Sequence, residues 1–342
     1  MSRKISRATA IMENRVALTA FSSIVGKEEG AGPLGQYFDE VSDDAYFGKE
    51  TWEQGEAELF HKTVKLAMKK GGINPDTLDY IVAGDLLNQC AGSTYGINGL
   101  DIPYIGIYSA CSTISEALML GAMLTDSGLS KNLLAATSSH FAAAERQFRF
   151  PLHYGGVRTP TAQWTCTASG AIVLSGAETL LDTPDSPVIK AVTTGKIVDY
   201  GVTDASNMGA AMAPAAADTI KTFLNDTKMS PTDFDAIVTG DLGGIGTKLL
   251  ISLLDKDNIQ ISDNHKDCGS LIFDENIQDV HAGGSGAGCS AAVLAAYFLP
   301  KMKKRELKNI LFCATGALMS TTLSQQGNTI PCISHAVHIS IS

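Results

Sequence analysis

The stretch INPDTLDYIVAGDL, residues 73–86, is written a second time as MSPTDFDAIVTGDL, residues 229–242. Pro, Asp, Ile-Val, Gly-Asp and Leu fall in the same register in both copies. Each copy follows a helical stretch, 60–70 in the first case and 215–226 in the second. Its short apolar run, bounded by turn residues, reads as a buried strand. A second pair continues the match: CSTISEALMLGAMLTDSGLSKNLLAATSS (111–139) pairs with CSAAVLAAYFLPKMKKRELKNILFCATGA (289–317). Both run from a small-residue turn through an amphipathic helix and a polar elbow into an apolar strand with Ala-Thr near its end. The order strand, helix, strand, helix, strand therefore occurs twice. It predicts two α/β halves with mainly parallel sheets, related by a pseudo-twofold. The proline-containing connection TLLDTPDSPVIKAVTTG separates them near residue 183, giving halves at 1–183 and 184–342. Helix N-termini from the two halves then meet at one interface, a natural place for a ligand.

Bulk composition narrows the function. The chain has 342 residues, of which 44% are hydrophobic and 18% charged. Its mean hydropathy is near zero, which suits a buried globular core. A net charge of -10 argues against nonspecific nucleic-acid binding, which needs clustered Lys and Arg. No apolar run reaches the roughly 18 residues of a membrane span. The basic Arg3, Lys4 and Arg7 are not followed by an apolar stretch before Glu13, so no secretion signal is expected. The seven cysteines, at 90, 111, 166, 268, 289, 313 and 332, are odd in number and contain no CxxC pair. Free thiols in a reducing compartment fit better than a disulfide frame or a zinc site.

YIGIYSACSTISEALMLGAML, residues 104–124, places Cys111 between a strand and a helix. A thiol there meets unpaired helix N–H groups and the positive end of the macrodipole, which favour a thiolate. Cys111 is thus either a nucleophile or the floor of a pocket without chemistry.

The repeat, the cysteine turn, the loop GGSGAGCSAAVLAAYFLPKM and the late strand LFCATGALM, which carries Cys313, resemble the thiolase-like superfamily. GPLGQYFDE, AGDLLNQ, ACSTISEAL, AATSSHFAAAERQFRFP, MGAAMAPAAADTIK, TGDLGGIG, HAGGSGAGCSA and IPCISHAVH resemble one branch, the stage V sporulation protein AD family, across residues 13–339. The resemblance implies an αβαβα fold with two five-stranded sheets, a homodimer, and a role in sporulation and spore germination. It also implies binding of dipicolinate (pyridine-2,6-dicarboxylate) for uptake into the developing spore. The implied location is peripheral at the inner spore membrane, beside the membrane proteins of the stage V sporulation A operon. No cofactor is implied, apart from calcium carried as the dipicolinate chelate, and no resident metal.

An acyl-transferring member would pair its cysteine with histidine. Here one expected histidine position falls at Gly240 and Asp241 within IVTGDLGGIG, and the other falls on a glycine of HAGGSGAG, with His281 about two residues early. An Asp beside the thiol would raise its pKa. The triple-glycine oxyanion loop of condensing enzymes is reduced to ATGALMS, with Gly316 alone retained. These departures favour a non-catalytic binding protein; the alternative is a Cys111-dependent acyltransferase or condensing enzyme, with His281 or His140 as partner. A dianion pocket calls for helix-start N–H groups, hydroxyls, a cation and an apolar wall. Candidate ligand-binding residues are Cys111, Ser112, Ser139, His140, Arg149, Asp85, Asp241, His281, Gly283, Gly284 and Gly316, with Thr113, Ser138 and Arg146 beside them. Asp85 and Asp241 head equivalent loops and read first as turn or helix caps, or as calcium contacts if the chelate is the ligand. The basic run KMKKRELK (301–308) reads as a solvated helix end.

Overall fold

In the computed structural model, which describes residues 3–148, 157–177, 179 and 183–341, the two copies of the repeat take the same conformation. The first half supplies β1 (Val16–Gly26), β2 (Tyr80–Gly84), β3 (Tyr104–Gly106), β4 (Asn132–Ser139) and β5 (Ala168–Gly176). The second supplies β6 (Val188–Thr193), β7 (Ala236–Thr239), β8 (His265–Asp267), β9 (Asn309–Ala317) and β10 (Cys332–Ser340). Strand order along the path is β8-β7-β9-β10-β6-β1-β5-β4-β2-β3. The halves touch on this path through one register pair of β6 and β1, Val188 with Ala17. Five strands therefore lie on each side of the junction.

The expectation of mainly parallel sheets holds for the outer three strands of each half, where β3-β2-β4 and β8-β7-β9 are parallel. It fails for the inner ones, because β4-β5, β5-β1, β9-β10 and β10-β6 are antiparallel. The links after β4 and β9 each contain a helix, Phe141–Phe148 and Thr321–Gln325, yet they return the chain antiparallel beside the strand it has just left. The repeated aspartates confirm the pseudo-equivalence in detail. Asp79 accepts from the backbone N–H groups of Lys131 and Asn132, and Asp235 accepts from those of Lys308 and Asn309. Each aspartate pins the entry of the neighbouring strand.

The longer helices among the described residues are α1 (Trp52–Gly71), α2 (Ala91–Ile97), α3 (Thr113–Asp126), α4 (Phe141–Phe148), α5 (Met208–Thr227), α6 (Gly243–Asp255) and α7 (Ala287–Val293). Side-chain alternation along the strands fixes the layers. Ile81, Ala83, Leu134 and Ala136 face the outer helix α1, with its Phe60 and Val64. Their neighbours Val82, Leu133 and Ala135 face inward. In the second half, Ile237, Leu311 and Cys313 face α5, with its Ile220 and Phe223, while Val238, Ile310 and Phe312 face inward. The inward faces share one core with α3 and α7. The result is helix, sheet, paired central helices, sheet, helix, and the N-termini of the two central helices lie at the interface of the halves.

Candidate functional site

The site is built on the turn that starts α3. After β3 the chain makes one 3-10 turn, Ala110–Ser112, before the helix. Ala110 sits at φ +48°, a left-handed conformation that costs a residue with a Cβ about 1 kcal/mol or more. Hydroxyls inside the turn hold it there. Ser112 Oγ donates to the Ser109 carbonyl at 2.7 Å, and Thr113 Oγ1 donates to that of Ala110 at 2.6 Å. Ser109 and Ser112 hydroxyls meet at 2.6 Å. Gly316 closes the turn from the second half, where a Cβ would stand 2.1 Å from the Ser109 carbonyl oxygen. Ser112, Thr113 and Gly316 therefore shape the turn. Cys111 is left partly exposed.

Opposite Cys111 lies Asp241, fully buried at the end of β7. Its Oδ2 accepts from Ser285 Oγ and from the Gly286 N–H, each at 2.9 Å. Its Oδ1 accepts from Thr315 Oγ1 at 3.4 Å, and the Cys111 sulfur lies 4.0 Å from Ser285 Oγ beside it. Burial pushes Asp241 up to about 7 against these hydrogen bonds. The thiol is pushed well above its usual value by burial, then by the charge of Asp241. These outweigh the helix N-terminus, which stabilises an anion by only about 0.3–1 kcal/mol, and favour the protonated thiol over the thiolate.

Cys111 lines a cavity of about 730 Å³, including its open mouth, and Asp241 lies buried behind the lining residues Ser285 and Gly286. Leu86, Ala144, Phe148, Met208, Met212 and Met319 form an apolar wall. The polar end is made by Tyr108, Glu145, Gln163, Thr165, Ser206 and Ser285. No Lys, Arg or His is among the described lining residues. Glu145 is buried and accepts from Thr165 Oγ1 at 2.8 Å. Gln163 Nε2 donates to the carbonyls of Asp241 and Gly284, both at 2.8 Å, which ties the two loops of the second half to the first.

The other expected residues disperse. His281 is corrected as a partner of Cys111: its ring pairs with Asp279 at 3.3 Å, and the residue does not line the cavity. His140 is corrected likewise. Its Nε2 meets the Ala45 carbonyl at 2.7 Å and its Nδ1 accepts from the Ala143 N–H at 3.3 Å, so both nitrogens are engaged elsewhere. Burial lowers its pKa. Ser139 donates to the Cys166 carbonyl and accepts from the Gly288 N–H, a structural tie between α7 and β4. Ser138 donates to buried Glu56. Asp85 is sealed, accepting from the N–H groups of Leu87 and Ser93 and from Ser93 Oγ. Asp85 thus holds its own turn, as the capping reading expected, whereas Asp241 accepts from Ser285 and Gly286 of the facing loop and leaves its own turn to Asp267. Gly283 and Gly284 pair with Trp164 beside the cavity without lining it. Arg146 turns away to Glu53 and the Trp52 ring. Arg149 lies outside the described residues.

Sequence reasoning missed Gln163, Glu145, Thr165 and Asp267. Asp267 accepts from the N–H groups of Leu242 and Gly243 at 2.9 Å and from that of Ser270 at 3.0 Å. The N-cap pattern Asp-x-x-Ser in DCGS was the signal available for it. Gln163 carries no such pattern, because its role depends on loops 78 and 121 residues further along the chain.

Comparison with known proteins places this geometry. The chain is 41% identical to stage V sporulation protein AD of Bacillus subtilis (strain 168) over 331 residues, 97% of this chain and 96% of that one. Its fold is similar to 3-oxoacyl-[acyl-carrier-protein] synthase III from Aquifex aeolicus VF5, with a TM-score of 0.54 and 13% identity over 95% of this chain and 99% of that one. It is also similar to cerulenin-bound OleA of Xanthomonas campestris, with a TM-score of 0.60 and 12% identity over 96% of this chain and 99% of that one. The fold is thus thiolase-like, and these two likenesses speak for the fold alone. Residues 6–340 match the family model of stage V sporulation protein AD (SpoVAD), and the chain belongs to that sporulation family.

Proposed function

We propose that this protein is a non-catalytic thiolase homologue that binds dipicolinate, free or as its calcium chelate, in the cavity above Cys111. It serves uptake of that ligand into the developing spore, as a homodimer at the face of the inner spore membrane, beside the membrane proteins of the stage V sporulation A operon. Membership of a sporulation family supports the setting. Among the described residues no helix is long and apolar enough to cross a membrane, which is compatible with a peripheral position. The observation that carries the binding reading is the Cys111–Asp241 pair. A nucleophile for acyl transfer needs a base or a lowered pKa, and here burial and then the neighbouring Asp241 push the thiol the other way. The apolar wall suits the flat pyridine ring, and the polar end suits its substituents.

Calorimetry of the purified protein with pyridine-2,6-dicarboxylate, with and without calcium, tests this reading. Saturable binding at one site per chain, weakened in Met212→Asp, is expected; no heat under either condition overturns it. The acyltransferase reading is favoured by one observation, the exposure of Cys111 to the cavity at a helix start. It requires a mass increase on Cys111 with acyl-CoA donors that is absent in Cys111→Ala.

A further inference from the structure

The polar end of the cavity is crowded with hydrogen-bond acceptors. Thr165 Oγ1 gives its proton to Glu145, and Ser285 Oγ gives its proton to Asp241. These two groups therefore offer lone pairs to whatever enters. Gln163 adds a third acceptor. The residue is 4% exposed, and its Oε1 is buried without a hydrogen-bond partner. Its amide cannot be turned round to relieve this, because Nε2 sits between the carbonyls of Asp241 and Gly284, where an oxygen would be repelled. A buried acceptor left unpaired is costly, and natural sites avoid it unless a ligand completes the bond. Among the described residues, the hydroxyls of Tyr108 and Ser206 are the remaining polar groups of the wall.

We infer that Gln163 is a specificity-determining residue whose fixed carbonyl selects ligands that present an N–H or O–H donor beside the aromatic carboxylate. This rests on the proposed function and refines it, since the bare dicarboxylate dianion carries two charges and no donor. The donor has two sources, a group on the ligand itself or a water molecule held by a chelated cation. In either case the ligand arrives with less negative charge than the bare dianion.

The test uses two ligands of equal charge at pH 7.5 without calcium. One is 6-carbamoylpyridine-2-carboxylate, which has an amide donor; the other is its methyl-ester counterpart, which has none. The wild-type chain is expected to bind the amide about five- to tenfold more tightly, and Gln163→Met should bind the two within twofold. In a second arm, calcium should tighten wild-type binding of pyridine-2,6-dicarboxylate and tighten it less in Gln163→Met if chelate-bound water is the donor. The ester is the control for folding and cavity shape, and the wild-type ratio stands even if the variant does not fold. Equal wild-type affinities for amide and ester, or a preference that survives in the variant, overturn the inference while leaving dipicolinate binding intact. Failure of all three ligands to bind, with calcium present, removes the proposed function and this refinement together.

Discussion

At the start of α3 the residue before Cys111 is Ala110, and the thiol faces a cavity; at the start of α7 the residue before Cys289 is Gly288, and the thiol is sealed. The two positions are equivalent in the repeat. A Cβ on Gly288 would stand 1.9 Å from the Ala168 carbonyl oxygen and 2.8 Å from the Ser139 nitrogen, so α7 packs directly on backbone. Ala110 keeps its Cβ and lines the cavity together with Cys111. The paired aspartates differ in the same sense. Asp85 takes the N–H groups of its own loop and the following helix. In the second half Asp267 takes the N–H groups of Leu242 and Gly243, which leaves Asp241 to face Cys111 across the interface. One duplicated motif thus gives a structural corner and a candidate binding corner, and the difference comes from who satisfies the turn's backbone donors.

The largest effect expected is at the sealed corner. Gly288→Ala should destabilise the fold by more than about 3 kcal/mol, or prevent folding, because both clashing groups are backbone. Urea unfolding reads this, and a cost below about 1 kcal/mol would mean the corner is not packed as described. Next comes the substitute cap. Asp267→Ala strands several buried donors and should cost about 3 kcal/mol, and Asp267→Asn less, by the same measurement.

The open corner should show itself through pH. The folded-state pKa of Asp241 is raised from 3.8 to about 7, so folding favours its protonated form. That contribution is complete below the unfolded value and is lost as pH rises through about 7. Asp241→Asn should remove it, flattening stability against pH in this window by up to about 1.4 kcal/mol per unit. Glu29, raised to about 8 by burial, adds a slope of the same sign, which Glu29→Gln should remove in turn. Chemical denaturation across pH 4–8 distinguishes the two, and an unchanged slope in both variants would contradict the burial of these acids. The smallest effect belongs to His281→Ala. With its ring outside the cavity, ligand binding by calorimetry should match wild type, and a large loss would return that histidine to the site.

Much of this architecture was legible in the repeat. Ile-Val-x-Gly-Asp-Leu located β2 and β7 together with the two aspartates, and the cysteine turn located α3, because these rest on local patterns and spacing. The inner antiparallel strands were not legible, since strand direction depends on connections rather than on apolar pattern. In the site, Cys111 and Asp241 were found as members, and the pressure of the acid on the thiol followed from like-charge reasoning. The glycines and serines of the same motifs were misread as ligand donors, although packing and turn closure consume their hydrogen bonds. Histidines were overweighted because a sequence shows their presence and not their direction. Gln163 stayed hidden because three segments distant in the chain define what it does.

The account turns on the protonation of Cys111, and the pH dependence of its alkylation measures that directly. Iodoacetamide labelling read by peptide mass spectrometry should give a Cys111 rate that is low at neutral pH and still rising above pH 9, and faster in Asp241→Asn. A rate that has already reached its plateau near pH 7 would reveal a thiolate poised for acyl transfer and would contradict the binding-protein reading.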